Sequence, residues 1–168
     1  RGRDWSFRPA LRRGGRVLGI CGGYQMLGRM IHDPDGHDGA PGSDAGLGLL
    51  DVETHMAAEK RLTRITGRAL GQPIEGYEIH LGRTAGPDSA RPFAHIPAPD
   101  GAISADGRVA GTYLHGLFSD NAFRAVWLAQ AGVASALDYG AGVDQVLDRL
   151  AAHLETHLDI ERMLMLAG

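Results

Sequence analysis

The only cysteine, Cys21, stands between the apolar run Arg16-Val17-Leu18-Gly19-Ile20 and the helix-like run Gly22-Gly23-Tyr24-Gln25-Met26-Leu27-Gly28. A side chain at a strand-to-helix turn projects from the end of the strand. Small residues two before and two after it let strand and helix pass closely, and Gly19 and Gly23 supply those positions in the order G-x-C-x-G. The expected arrangement is a nucleophile elbow. Its thiol would sit at a helix N-terminus, where partial positive charge and free backbone N–H groups stabilise negative charge on an attacking sulfur and on the oxyanion formed at a carbonyl. The competing reading is a buried structural cysteine.

A thiol nucleophile needs a base, and imidazole accepts and returns a proton near neutral pH. Of eight histidines, His115 follows the apolar run Val109-Ala110-Gly111-Thr112-Tyr113-Leu114 and precedes Gly116, which puts it at the carboxyl end of a strand, where open α/β sheets place their sites. His80 competes, since it ends its own strand with Glu78 on the same face. His153 and His157 lie four apart on a terminal helix and read as solvated or capping residues, while His32, His37, His55 and His95 receive no role. His32-Asp33-Pro34-Asp35-Gly36-His37-Asp38 is rich in ligand types but also in glycine and proline, so it reads as a surface loop and no metal is expected.

These residues need a sheet and helices to hold them. Expected elements are an N-terminal amphipathic helix over residues 4–13 that includes Trp5, a strand over 17–20 and a helix over 22–30. Strands follow over 47–54, 61–69 and 74–81, then a hairpin over 102–104 and 108–114 and helices over 121–130 and 143–165. With 168 residues the chain has the size of one α/β domain, and 43% hydrophobic with 22% charged residues suits a globular core. A net charge of −3 with scattered basic residues argues against nucleic acid, and no apolar run is long enough to span a membrane. One cysteine cannot form an internal disulfide, which fits a reducing cytoplasm.

Four ordered blocks carry a family resemblance: Gly19-Ile20-Cys21-Gly22-Gly23-Tyr24-Gln25-Met26-Leu27-Gly28, Gly46-Leu47-Gly48-Leu49-Leu50-Asp51-Val52-Glu53-Thr54, Gly76-Tyr77-Glu78-Ile79-His80-Leu81-Gly82-Arg83-Thr84 and Gly111-Thr112-Tyr113-Leu114-His115-Gly116-Leu117-Phe118. Together they closely resemble the C-terminal glutamine amidotransferase domain of the cobyric acid synthases. The resemblance implies a class I glutamine amidotransferase, flavodoxin-like three-layer fold over residues 1–168. It also implies that Cys21 forms a γ-glutamyl thioester with glutamine and releases ammonia, with His115 as base and acid. Gly22 N–H would contribute to the oxyanion hole, and Gln25 would help hold the amino-acid end of the substrate. Glu78 and His80 would line the same pocket, orienting the substrate. In the family the ammonia serves ATP-dependent amidation of corrinoid carboxylates in cobalamin biosynthesis.

Two departures qualify the resemblance. Class I amidotransferases commonly carry a glutamate two residues after the histidine, whereas Leu117 stands here, so the site reads as a Cys-His dyad with Glu78 as a candidate for orienting the imidazole. Only about twenty residues precede Cys21 in a chain that opens on Arg1, so an N-terminally truncated domain is expected, without the upstream strands and the synthase domain that would hold ATP and Mg²⁺. No phosphate-loop motif is present, and no cofactor is expected in this chain. The alternatives are a G-x-C-x-G thiol hydrolase of α/β-hydrolase type and a catalytically incomplete interaction module.

Overall fold

The computed structural model describes residues 7–58 and 61–167, with Arg61 described by its backbone alone. Trp5 and the start of the expected first helix lie outside the described residues. The chain divides into two units, Arg1–Ser135 and Ala136–Gly168, and the candidate chemistry falls in the first. The first unit is mixed α/β.

In that unit α1 (Phe7–Arg12) is followed by β1 (Val17–Ile20), which pairs in parallel with β11 (Val109–Thr112). A short antiparallel strand, β10 (Ala102–Ile103), completes this three-stranded sheet in the order β1-β11-β10. Apart from Thr112 its strands carry no polar side chain, because both faces are covered. Val17 and Val109 face one cluster with Tyr24 and Leu27, while Ala110 faces another built on Ile74, Leu114 and Phe123.

Two facing glycines admit the helix that follows Cys21, α2 (Gly22–Leu27). A Cβ on Gly19 would lie 2.6 Å from Gly23 O, and one on Gly111, its ladder partner, would lie 2.0 Å from the Tyr24 ring. Both contacts are far shorter than van der Waals distance, so this face of the sheet accepts α2 only with glycine at both positions.

α2 stops at Leu27 rather than at Met30. Gly28 brings its backbone against Val52, Arg29 N–H donates to Val52 O at 2.8 Å, and Met30 already belongs to β2 (Met30–Asp33). The expected strand at 47–54 is mostly a loop. The N–H groups of Leu47, Gly48, Leu49 and Leu50 donate to the carbonyls of Met26, Gly28, Leu27 and Leu27 at 2.8–2.9 Å. They thereby satisfy the last carbonyls of α2, which have no partner inside so short a helix. What remains of that strand is β4 (Glu53–His55).

A second sheet has the order β3-β2-β4-β7, with β3 (Gly42–Ala45) and β7 (Arg83–Ala85) at its edges and β2·β4 parallel. The segment expected to be a loop after Ile31 is thus partly a hairpin. Asp33 closes it by accepting from His37 N–H and Asp38 N–H at 2.8 and 2.9 Å, bonds that hold its carboxyl below the usual range.

The third sheet, β12-β6-β5-β8-β9, is antiparallel. Its spine is the hairpin of β5 (Arg61–Ala69) and β6 (Gln72–His80), closed by Leu70-Gly71 with positive φ at both residues, the backbone of a type I′ turn. The short strands β8 (Ala94–His95) and β9 (Pro99–Asp100) extend one side, and β12 (Leu114–His115) the other.

The expected arm 108–114 therefore splits at Tyr113, because the chain changes sheets there. Asp100 takes the Thr112 hydroxyl and, at 3.4 Å, the Tyr113 N–H, while Thr112 Oγ1 accepts from Leu114 N–H at 3.0 Å. α3 (Asn121–Ala129) follows, started by Asp120, whose carboxylate accepts from Phe123 N–H at 2.7 Å.

In the second unit the single expected helix over 143–165 is two. α4 (Tyr139–His157) gives way at Leu158, which is extended, and Asp159 restarts the chain as α5 (Ile160–Ala167) by accepting from Arg162 N–H at 3.0 Å. His153 and His157 stack on α4 with centroids 4.2 Å apart. No helix among the described residues is long and apolar enough to cross a membrane.

Candidate active site

Cys21 follows the last residue of β1 and precedes the first of α2, with φ 55° and ψ −118°. A non-glycine residue at this φ carries strain that its surroundings must sustain. Here the flanking bonds hold it: Cys21 N–H donates to Thr112 O at 2.9 Å, and Cys21 O accepts from Tyr24 N–H and Gln25 N–H at 2.9 and 3.2 Å. The N–H groups of Gly22 and Gly23 have no acceptor among the described residues. The half-buried thiol itself donates to Ile79 O at 3.3 Å.

Cys21 follows Ile20 directly, whereas His115 stands three residues beyond Thr112, the partner of Ile20, on β12 of the third sheet. The imidazole lies flat on Tyr77, with centroids 5.0 Å apart and an interplanar angle of 6°. Its Nε2 is buried without a hydrogen-bond partner. A buried imidazole nitrogen with no partner is costly to hold.

Glu78 does not orient this imidazole. The register pairs His115 with Tyr77 and Leu114 with Glu78, so the pleat sends Glu78 to the opposite face of the β6·β12 ladder. Glu78 and His80, which share that face as expected, line a cavity of about 460 Å³ together with Tyr24, Thr84, Asp100 and Tyr113. Cys21, Gly22, Gln25 and His115 are not among its walls. The six expected residues therefore separate: Cys21, Gly22 and Gln25 belong to the turn and the helix it starts, Glu78 and His80 line the cavity, one residue on either side of Ile79, and His115 lies on β12 against Tyr77.

Gln25 is almost fully buried and has its amide engaged. Nε2 donates to Leu81 O at 3.0 Å and to the Tyr113 hydroxyl at 3.2 Å. The chain continues from Tyr113 OH to Thr84 Oγ1 and on to Thr54 Oγ1, each step 2.6 Å, and so ties α2, β4, β7 and the end of β6 together. Burial raises the Tyr113 phenol above its usual range and keeps it neutral, able to donate and accept in this chain. His80 stacks on Tyr113 with centroids 3.7 Å apart, and its Nδ1 lies 3.2 Å from Gly82 O.

Asp100 is also in the cavity wall. Burial pushes its carboxyl up despite the Thr112 and Tyr113 donors and the nearby His80. Among the described residues no donor reaches the Glu78 carboxylate, which faces the cavity. Three neighbours of the candidate residues were not singled out from the sequence. Tyr77 and Tyr113 were visible only as residues of strand-like blocks, and Asp100 as part of a proline-rich connection. What reveals them is register across strands distant in sequence, for which a single chain carries no local signal. Tyr24, also in the cavity wall, fills the slot over Gly111.

Residues 1–123 match the CobB/CobQ-like glutamine amidotransferase domain. The chain is 78% identical over 166 residues to a protein of Paracoccus denitrificans named cobyric acid synthase, covering 99% of this chain and 35% of that protein. It is 60% identical over 166 residues to the cobyric acid synthase of Jannaschia sp., covering 97% and 34% of the two chains. With that of Cereibacter sphaeroides it shares 59% identity over 170 residues, covering 99% and 35%. The chain thus spans about a third of the length of the curated relatives it matches. With the match extending over both the Cys21 turn and the His115 strand, this chain belongs to the CobB/CobQ-like glutamine amidotransferase domain family.

Proposed function

We propose that these residues form the glutaminase site of a cobyric acid synthase. The observation that carries the reading is the turn at Cys21, a strained strand-to-helix junction at the carboxyl end of β1, whose parallel partner β11 ends three residues before His115. In this reading the turn is a nucleophile elbow in a flavodoxin-like sheet of which β1·β11 is the parallel part.

Cys21 gives up its contact with Ile79 O, passes its proton to His115 Nε2, and attacks the side-chain carbonyl of glutamine. The tetrahedral oxyanion draws on Gly22 N–H, one of the two free donors at the start of α2. His115 then returns the proton to the departing nitrogen, and ammonia leaves. Water, deprotonated by the same imidazole, opens the γ-glutamyl thioester and releases glutamate. Tyr77 is the flat surface that orients His115 where related sites use a carboxylate. Glu78 complements the α-ammonium group of glutamine, and His80 bounds the space beside it. Gln25 acts as a positioning residue, since its amide holds the Leu81 carbonyl and Tyr113.

The ammonia serves amidation of the b, d, e and g carboxylates of adenosylcobyrinic acid a,c-diamide in cobalamin biosynthesis. ATP and Mg²⁺ are held by the part of the synthase that lies outside these residues, and the reaction belongs to a reducing cytoplasm. Glutamate release from glutamine, compared with turnover of a simple ester, tests the reading. It requires glutamine to be the preferred substrate and both Cys21→Ser and His115→Gln to abolish its hydrolysis. Preferential ester cleavage would instead identify a thiol hydrolase.

A further inference from the structure

On the face of the second sheet away from buried Thr54, three metal-binding side chains converge. His32 on β2 stands directly opposite His55 on the parallel strand β4, and Glu53, two residues before His55, projects from the same face. One donor atom from each lies within 4.8 Å of the others. The imidazoles of His32 and His55 stack with centroids 4.5 Å apart. His32 Nε2 lies 3.2 Å from Glu53 Oε2. Two ligands bound at ~2.0–2.1 Å in a tetrahedral site are about 3.3–3.4 Å apart, so this pair already has the spacing of one edge of such a polyhedron.

The surroundings fit the same purpose. Ser43, opposite His32 on β3, places its hydroxyl 3.1 Å from His32 Nδ1. With the Nδ1 proton directed to Ser43, the Nε2 lone pair faces Glu53 and both atoms are set to ligate a cation; without one, the other tautomer or the protonated ring donates from Nε2 to Glu53 directly. Arg29 lies 4.0 Å from the other carboxylate oxygen of Glu53, but its main partner is Asp51 at 2.6 Å, so Oε2 remains available. A cavity of about 300 Å³ has both Glu53 and His55 in its walls and offers a way in. His55 is exposed, free to swing its ring the further ångström or so that closes the third contact.

We propose that His32, Glu53 and His55 bind a divalent transition-metal ion of the zinc class, with a fourth position open to water. Two imidazoles and one carboxylate form a donor set that suits zinc and excludes the all-oxygen preference of Mg²⁺ and Ca²⁺. The ion links β2 to β4, strands that belong to the sheet carrying the Thr54-Thr84 end of the hydrogen-bond chain to Gln25. The site is separate from Cys21 and His115 and does not depend on the glutaminase reading.

The test uses the untagged chain carrying His153→Gln and His157→Gln, because that stacked pair on α4 is itself able to hold zinc. Equilibrium dialysis against Zn²⁺ should give one ion per chain, and X-ray absorption should find two imidazole nitrogens and a carboxylate at ~2.0–2.1 Å. His55→Gln and Glu53→Gln should each abolish or weaken binding at least tenfold, and Ser43→Ala should weaken it about 10- to 100-fold through loss of the contact that orients His32. Far-ultraviolet circular dichroism of each variant without metal establishes that it is folded. Zinc uptake unchanged by these substitutions in folded variants, or no uptake at ~10 μM Zn²⁺, overturns the proposal.

Discussion

Replacing Gly19 by alanine tests the geometry on which the Cys21 turn depends. The new methyl carbon would lie 2.6 Å from Gly23 O, 2.7 Å from Gly23 C and 2.5 Å from Leu27 Cδ1. The first contact falls about 0.8 Å short of the 3.4 Å at which ordinary contact begins, and the atom it meets is backbone, which no rotamer change relieves. Leu27 is almost fully buried and cannot swing away freely. α2 must therefore move outward by a large fraction of an ångström, at the ~1–3 kcal/mol typical of an overpacked core. For a unit of this size that lowers Tm by about 2–12 °C. The same displacement carries Gly22 N–H away from Cys21, and a ~1 Å misplacement in a catalytic constellation costs about 100-fold in rate. Gly23→Ala is the matched control, since a Cβ there meets nothing within 4 Å. Its Tm should stay level or rise slightly, because alanine loses less backbone entropy than glycine in a helix. Thermal unfolding by circular dichroism gives both values. Equal Tm for Gly19→Ala and the unaltered chain would refute the close-approach argument, and so would a loss in Gly23→Ala as large as that in Gly19→Ala.

Tyr77→Ala should lower glutamine turnover about tenfold with little change in Tm, since Tyr77 is exposed, while Tyr77→Phe, which keeps the stacked ring, should retain activity; equal losses in both variants would remove the orienting role. Phe123 is completely buried between β6, Phe93 and Trp127, so Phe123→Ala should cost ~3–5 kcal/mol, read as the shift of a urea unfolding midpoint. Asp106 has its carboxyl held down at about 2 by Ser104 and by the backbone and side chain of Arg108. Because the folded value lies below the unfolded one, its contribution is present above about pH 4 and lost as pH falls toward 2. Exposure keeps it below about 1 kcal/mol, and the stability gap between the unaltered chain and Asp106→Ala should close over that window in urea titrations.

The legible parts of the molecule were those encoded locally. Val17–Ile20, the helix after Cys21, the two strands β5 and β6 and α3 each carry their own periodicity or β-forming residues, although the pairing of β5 with β6 through Leu70-Gly71 was not legible. Long-range pairing decided the rest. Met30 and Ile31 suit a helix packed on a sheet, yet Gly28 meets Val52 and passes them into the β2·β4 ladder. Leu47–Leu50 has the composition of a buried strand, but its N–H groups are claimed by the carbonyls ending α2. In the site, the choice of His115 followed from its place at a strand end, whereas its neighbour Tyr77 and the separation of Glu78 onto the other face follow from a register set by Tyr77 opposite His115. The cluster of His32, Glu53 and His55 has the same origin, since its members are 21 and 23 residues apart from His32 and meet only because β2 and β4 run parallel.

The most direct measurement is covalent labelling by diazo-oxo-norleucine, a glutamine analogue whose electrophile traps the attacking sulfur, read by peptide mass spectrometry. A single adduct on Cys21, suppressed by excess glutamine and absent in Cys21→Ser, is the expected result. No adduct on Cys21 in this chain or in a longer chain of the same protein, or an adduct that glutamine does not suppress, would contradict the assignment of Cys21 as the glutaminase nucleophile.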